Sequence, residues 1–327
     1  MLRLASLVQR TYKSDCATLA NGGLGTMEYL TEISESDACT SYPVTEVVWR
    51  GPTTTCETVT IADSPAYGRM LFLDGELQSA SADEHIYHES LVHPVMSVAH
   101  TKRPHGDDGL RVLVVGGGEG ATVREVLRWR EVSGIDWVDI DTELVAICKD
   151  KLGWAPNVYS DPRVRYYGED IQAAWNHLGK YDVIILDLPD PDGDTGYLYS
   201  PEFWTDVRSH MTVSGICVTH VGPVRPFSGV GEGAGRIAAA GLPLTVGGFY
   251  QVCIPSFQGS WGFWMFSASG SDPFRHVRGF PTVLPFNLQC VDGLQVQAWA
   301  NPTGMWHSTV KDLLNTKKVG VEPTKLE

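Results

Sequence analysis

The stretch Arg111-Val-Leu-Val-Val-Gly-Gly-Gly-Glu-Gly-Ala-Thr-Val-Arg-Glu125 decides how this 327-residue chain folds. Arg111 to Val115 is a short β-branched apolar run, suited to a buried parallel strand. Gly116, Gly117, Gly118 and Gly120 follow at once, and Ala121 to Arg130 reads as a helix. Strand, glycine turn and helix form the opening unit of a nucleotide-binding α/β domain, in which glycines allow a tight turn and close approach of a ligand to the backbone. Glu119 at the tip would repel a pyrophosphate and attract a cation. It points to a ligand carrying a sulfonium or an amine. A glycine turn that binds nothing is the competing reading.

Outward from this unit the alternation is regular. Ile135–Ile140, Val164–Tyr167, Tyr181–Leu186 and Ile216–His220 read as strands, with helices at 143–152, 171–178 and 203–210 between them. Phe249–Ile254 and Gly262–Ser267 add an antiparallel pair at the edge. The pattern predicts an α/β fold, a doubly wound and mainly parallel seven-stranded sheet. Ligands of such sheets sit outside the carboxyl ends of the strands. Acids fall there after four strands: Glu119, then Asp139 with Asp141, then Asp170, then Asp187 with Asp190. One acid at a strand end is an ordinary helix cap; four in succession suit an adenosyl ligand with a cationic tail. An acid after the second strand accepts both ribose hydroxyls, one after the third takes the adenine amino group, and one after the first pairs with the tail. Asp187, directly after a buried strand, is the acid held most rigidly. It could bind a substrate ammonium and receive the proton that the amine must lose before it attacks.

Before the α/β unit, residues 1–40 read as a flexible arm and 41–108 as a small antiparallel β domain with a connecting helix. The runs Val44–Trp49, Glu57–Ile61 and Met70–Leu73 are its strands, Asp74-Gly75 its hairpin turn and Ser81–Ser97 its helix. Residues 101–109 read as a linker. The nucleoside-binding catalytic domain is expected over 109–270 and a C-terminal extension over 271–327, irregular until a helix at 308–315. The formal charge of −14 argues against nucleic acid or an anionic membrane as partner and favours a polycation. No apolar run approaches the length of a membrane span. Seven scattered cysteines without a C-x-x-C pair read as free thiols of a reducing compartment, hence a cytoplasmic protein. The acid-free Met1–Ser14, with Arg3, Arg10 and Lys13, is a faint echo of an organelle transit peptide. His85, His88, His93, His100 and His105 read as surface and hinge residues and no metal site is expected. Trp264 and Cys148 read as packing, and Trp261 as packing that could border an amine channel.

Four motifs resemble the spermidine/spermine synthase family of aminopropyltransferases, and most of all its thermospermine synthases. They are Asp74-Gly75-Glu76-Leu77-Gln78 with Asp83-Glu84-His85-Ile86-Tyr87-His88-Glu89; Gly116–Gly120 with Arg124-Glu125-Val126-Leu127; Asp139-Ile140-Asp141 with Asp170; and Asp187-Leu188-Pro189-Asp190-Pro191. Ile254–Phe257 and Gly259–Gly262 resemble a later segment of the thermospermine type. The resemblance runs from about Tyr67 to Ser267. It implies a Rossmann-like sheet of the methyltransferase type and a co-substrate, decarboxylated S-adenosylmethionine, in place of any prosthetic group. The aminopropyl group would pass to a polyamine, spermidine giving thermospermine or spermine, with methylthioadenosine released. Gln78 and Asp139 would hold the ribose, Asp170 the adenine and Glu119 the aminopropyl amine, with Gly116, Gly118 and Asp141 in the same nucleoside site. Asp187 would be the proton acceptor, helped by Tyr87. His88, Asp190, His220, Phe257 and Trp261 would line the acceptor site, and a homodimer or homotetramer is implied.

Pro189, His220 and Phe257 depart from the common family pattern and bear on the acceptor rather than on the fold. Two other readings stand beside this one. The first is an S-adenosylmethionine-dependent N-methyltransferase of a small amine, which Glu119 disfavours because it would repel the carboxylate of that ligand's tail. The second is a non-catalytic polyamine sensor, which would have no use for a proton acceptor at Asp187. A dinucleotide oxidoreductase lacks support, since Gly116–Gly120 is not G-x-G-x-x-G.

Overall fold

A computed structural model describes residues 28–33, 39–102, 109–189, 197–225, 229–230, 248–276 and 287–299. Six strands come first: β1 (Glu28–Ile33), β2 (Cys39–Val44), β3 (Glu46–Gly51), β4 (Val59–Ser64), β5 (Gly68–Leu73) and β6 (Glu76–Ala80). β1 and β2 pair antiparallel, and β3 to β6 form a four-stranded antiparallel sheet in chain order. β5 turns into β6 through Asp74 and Gly75, both at positive φ, as the Asp-Gly pair predicts. Two expectations are corrected here. Glu28–Ile33, read as part of a flexible arm, is a strand; residues 1–27 lie outside the described residues. The run Val44–Trp49 is split between β2 and β3.

Helix α1 (Glu84–Lys102) follows and runs on through two residues of the expected linker; residues 103–108 are not described. Its positions from His88 to Ala99 are all buried, because it lies under the main sheet and contacts β10, β11, β13 and the next helix. A helix covered on all sides shows no apolar stripe.

The α/β part alternates as expected: β7 (Leu110–Gly116), α2 (Ala121–Leu127), β8 (Val132–Val138), α3 (Thr142–Lys151), β9 (Val164–Tyr167), α4 (Ile171–Ala174), β10 (Tyr181–Asp187), α5 (Pro201–Ser209) and β11 (Met211–Arg225). A two-residue strand β12 (Gly229–Val230) pairs with the end of β11, and β13 (Phe249–Ile254) and β14 (Gly259–Ser267) complete the sheet. The order is β13-β14-β11-β10-β7-β8-β9, with β12 off the path. β9, β8, β7, β10 and β11 are mutually parallel, and β14 and β13 add antiparallel at one edge. The chain leaves β7 for β8 and β9 on one side and returns to β10 on the other, so the crevice between β7 and β10 is a topological switch point, where such sheets bind ligands.

α2 and α4 are shorter than their sequence periodicity suggests. The stretch after Asp272 is less irregular than expected: a 3-10 turn spans Pro273–His276 and a helix α6 spans Gly293–Trp299. The helix anticipated at 308–315 lies outside the described residues. Val112, Val114, Val183, Ile185, Ile216 and Val218 face one core layer with α1, and Leu113, Val115, Ile184, Leu186 and Cys217 face the other with α5. Burial on both faces is why these strands read as unbroken apolar runs.

Candidate active site

Strand register brings the glycine turn and the acidic loop together. Asp187 at the end of β10 pairs with Gly116 at the end of β7, and the N–H of Gly117 donates to the carbonyl oxygen of Asp187 at 3.0 Å. Gly116 and Gly117 both have positive φ. A side chain at Gly116 would overlap the Asp187 carbonyl, and one at Gly117 would stand 2.7 Å from Asp187 Oδ2. These glycines are therefore required by the approach of Asp187 as much as by any ligand.

The Asp187 carboxylate is held from both sides. Tyr87 on α1 donates its hydroxyl to Oδ1 at 2.8 Å, and Thr122 on α2 donates to Oδ2 at 2.5 Å. Burial and the nearby charge of Glu119 push the Asp187 pKa up, against the opposing effects of His88, Thr122 and Tyr87.

His88 and His93 are corrected from surface residues to buried ones. His88, 1% exposed in its side chain, lies between Glu84 (Nδ1 to Oε2, 2.7 Å) and Glu119 (Nε2 to Oε1, 3.3 Å). Burial alone would strip its proton; the two carboxylates outweigh that and push its pKa up to about 10. Arg124 completes the chain by donating to Glu84 at 2.9 Å. Arginine, glutamate, imidazolium and Glu119 thus alternate in charge from α2 to the turn. His93 Nδ1 accepts the Trp129 indole N–H at 3.0 Å, so its Nε2 carries the proton and donates to the Glu125 carboxylate at 3.0 Å, a buried structural set. Among the described residues no group of three or more His, Cys, Asp or Glu is arranged to hold a metal ion.

Asp139, just after β8, is 8% exposed. Its Oδ1 accepts the N–H of Asp141 at 2.8 Å, and a side chain on Gly118 would lie 3.3 Å from its Oδ2. Burial, then the charges of Asp141, Glu119 and Asp187, raise its pKa to about 7 despite that hydrogen bond.

Other predicted site residues lie apart from this centre. Asp141 is diverted. Its Oδ1 caps α3 by accepting from the Leu144 N–H at 2.8 Å. Its Oδ2 accepts the hydroxyls of Thr53 (2.5 Å) and Thr55 (2.6 Å) from the N-terminal β region. With these contacts Asp141 tethers α3 to the N-terminal β region. Asp170 is exposed and caps α4 through the Gln172 N–H at 2.8 Å. Gln78 sits half-buried on β6, its amide 3.4 Å from the Glu76 carbonyl oxygen. Asp190 lies outside the described residues.

An aromatic wall adjoins Asp187. The Tyr87 ring meets His220 at 6.1 Å, Phe257 at 6.2 Å and Phe263 at 5.6 Å between centroids. Trp261 stacks on His220 at 5.9 Å and packs on Phe257 at 4.9 Å. His220 is buried, and its Nε2 lies 2.6 Å from the Leu188 carbonyl oxygen, so that nitrogen carries the proton and donates. Trp264 and Cys148 are buried packing residues, as expected.

Sequence reasoning did not single out Thr122 or Glu89. Thr122 is a wholly buried hydroxyl between Ala121 and Val123, and its burial shows only in the folded chain. Glu89 is buried and accepts the backbone N–H groups of Gln289 (2.8 Å), Cys290 (2.7 Å) and Val291 (3.0 Å), docking the C-terminal segment on the helix that carries Tyr87.

The family model of the spermine/spermidine synthase domain matches residues 84–272. The chain is 42% identical over 170 residues to a polyamine aminopropyltransferase of Synechococcus sp. (strain JA-2-3B'a(2-13)), covering 51% of this chain and 54% of that one. It is 34% identical over 272 residues to a polyamine aminopropyltransferase of Aeropyrum pernix, covering 80% and 81%. The chain spans about half the length of the first curated relatives it matches. A crystal structure of a spermidine synthase in complex with the transition-state analogue AdoDATO aligns with a TM-score of 0.73 at 23% identity over 88% of this chain and 95% of that one, a likeness of fold. The family model and the extended match to the Aeropyrum protein bear out the resemblance of the motifs: the chain belongs to the spermine/spermidine synthase family.

Proposed function

We propose that the protein is a polyamine aminopropyltransferase that moves the aminopropyl group of decarboxylated S-adenosylmethionine onto an amine. The observation that carries this reading is the Asp187 carboxylate, held by Tyr87 and Thr122 at the switch point and flanked by the glycine turn, Glu119 and the aromatic wall. Relatives named polyamine aminopropyltransferase support it.

In this mechanism Asp139, with Gln78, takes the ribose hydroxyls, and Asp170 remains the candidate for adenine. Glu119, oriented by the buried His88, pairs with the aminopropyl ammonium. The acceptor lies along Tyr87, His220, Phe257 and Trp261, whose π faces favour a cationic or methylene chain. Asp190 is assigned to the acceptor by resemblance alone. Asp187 binds the attacking nitrogen and receives its proton. A carbon–nitrogen bond forms as the carbon–sulfur bond breaks. The electron pair stays on sulfur, so the sulfonium leaves as neutral methylthioadenosine. Spermidine, giving a linear tetraamine, is the preferred acceptor of this reading.

The organisation into 1–40, 41–108, 109–270 and 271–327, a homodimer or homotetramer, and a cytoplasmic location belong to the same proposal. Among the described residues, no helix is long and apolar enough to cross a membrane.

The test is a product assay by mass spectrometry. S-adenosylmethionine or its decarboxylated form is offered with putrescine, agmatine, spermidine or norspermidine. Methylthioadenosine together with an acceptor one aminopropyl unit heavier is expected, and Asp187→Asn should lose at least about 100-fold in turnover while still binding methylthioadenosine. S-adenosylhomocysteine with a methylated amine would establish the methyltransferase instead.

A further inference from the structure

Two neutral hydroxyls from different elements hold Asp187, and only one of them belongs to a motif that points to the chemistry. Tyr87 comes from α1. Thr122 comes from the first turn of α2, three residues beyond Glu119, and is wholly buried. Its hydroxyl lies 2.5 Å from Asp187 Oδ2, a short contact for a hydroxyl on a carboxylate. A buried threonine hydroxyl here could have bonded back to a carbonyl of the preceding turn; instead it reaches across to the end of β10.

We propose that Thr122 is a positioning residue for Asp187: its hydroxyl fixes the carboxylate rotamer and ties the proton acceptor rigidly to the turn that carries Glu119. This rests on the reading of Asp187 as the proton acceptor. The charged and titratable groups around Asp187 make the link consequential. Glu119 on the turn and Asp139 after β8 are acidic; His88 on α1 is cationic; Tyr87 and, behind it, His220 of β11 complete the surroundings. Burial and Glu119 favour the protonated acid, which cannot accept another proton. Donors to the carboxylate oppose that. Without Thr122, Oδ2 keeps its burial and loses its donor, and the acid form gains.

The sign follows. Turnover needs ionised Asp187 and falls as pH drops through its pKa. Loss of a donor moves that limb to higher pH. Hydrogen bonds to charged groups are of a size that shifts a pKa by about one unit.

The experiment measures kcat and KM across pH for the wild type, Thr122→Val, Thr122→Ala, Thr122→Ser and Asp187→Asn, with decarboxylated S-adenosylmethionine and spermidine or putrescine, alongside calorimetric binding of methylthioadenosine. In Thr122→Val and Thr122→Ala the acid limb of kcat is expected to rise by about one pH unit, so that kcat at pH values below the wild-type limb falls about tenfold. KM values and methylthioadenosine affinity should stay within about twofold. Thr122→Ser should restore the limb. An unmoved limb in Thr122→Val, with Asp187→Asn inactive, overturns this inference alone. So does a pH-independent loss accompanied by weakened nucleoside binding, which would mark Thr122 as mere packing of the turn. If Thr122→Val does not fold, the comparison of Ala with Ser decides. Full turnover by Asp187→Asn would overturn the reading of Asp187 together with this one.

Discussion

Lowering pH should weaken nucleoside binding through Asp139. In the free protein this carboxyl is nine-tenths buried, has one internal donor and stands among three other acids, and its pKa is pushed up to about 7. Ribose hydroxyls donate, so the ionised form is the one that accepts both. Asp139 is roughly nine-tenths ionised at about pH 8 and roughly one-tenth ionised at about pH 6. Affinity for methylthioadenosine should therefore fall by roughly tenfold between those values. Isothermal titration calorimetry at constant ionic strength measures this, and repetition in buffers of different ionisation enthalpy counts the protons released on binding. Asp139→Asn should bind more weakly and without the pH slope; Asp187→Asn should keep a slope, moved to lower pH because one of the charges that raise Asp139 is gone. The same shift has a stability side. A carboxyl whose folded pKa lies above its unfolded value costs stability above about pH 4, the full cost being present above about pH 7. Asp139→Asn should thus make the empty protein more stable in urea at about pH 8, by up to about 4 kcal/mol, with no gain below about pH 4. A flat affinity in the wild type, or an unchanged slope in Asp139→Asn, would refute the assignment of the ribose to this residue.

Gly116→Ala places a Cβ on the Asp187 carbonyl oxygen at a φ of 81°. It should cost about 2–3 kcal/mol in denaturant and reduce turnover more than methylthioadenosine affinity, because the acid loop is displaced before the nucleoside site is. Glu89→Gln sets an amide N–H2 against backbone donors that now share one carboxylate. A loss of about 2–4 kcal/mol is expected, with hydrogen exchange accelerating first at Gln289, Cys290 and Val291; uniform exchange across the domain would show that Glu89 does not dock this segment.

Much of the fold was legible because each of its rules is local. Val112–Val115 and Val183–Leu186 are apolar on both faces of a parallel sheet, so they stand out without any partner. Asp74-Gly75 needs only its own backbone angles to turn. The helices were harder: α1 shows no stripe because every side of it is covered, and its histidines looked like surface residues when two of them are buried against glutamates. Family motifs pointed to candidate site residues, but not to their partners.

By itself the sequence determined that acids fall after four parallel strands and that glycines lead the first turn, since both follow from chain order and residue type. Only the tertiary structure decided which acids remain available. Asp141 is held on both oxygens, by Thr53 and Thr55 from a distant loop and by its own helix end, whereas Asp170 gives its helix end a single oxygen. Asp187 is brought against Gly116 by the pairing of β7 with β10 and receives Tyr87 and Thr122 from two helices. A carboxylate's chemistry depends on the donors, charges and water around it, and those are set by segments far apart in sequence that meet only when the chain is folded.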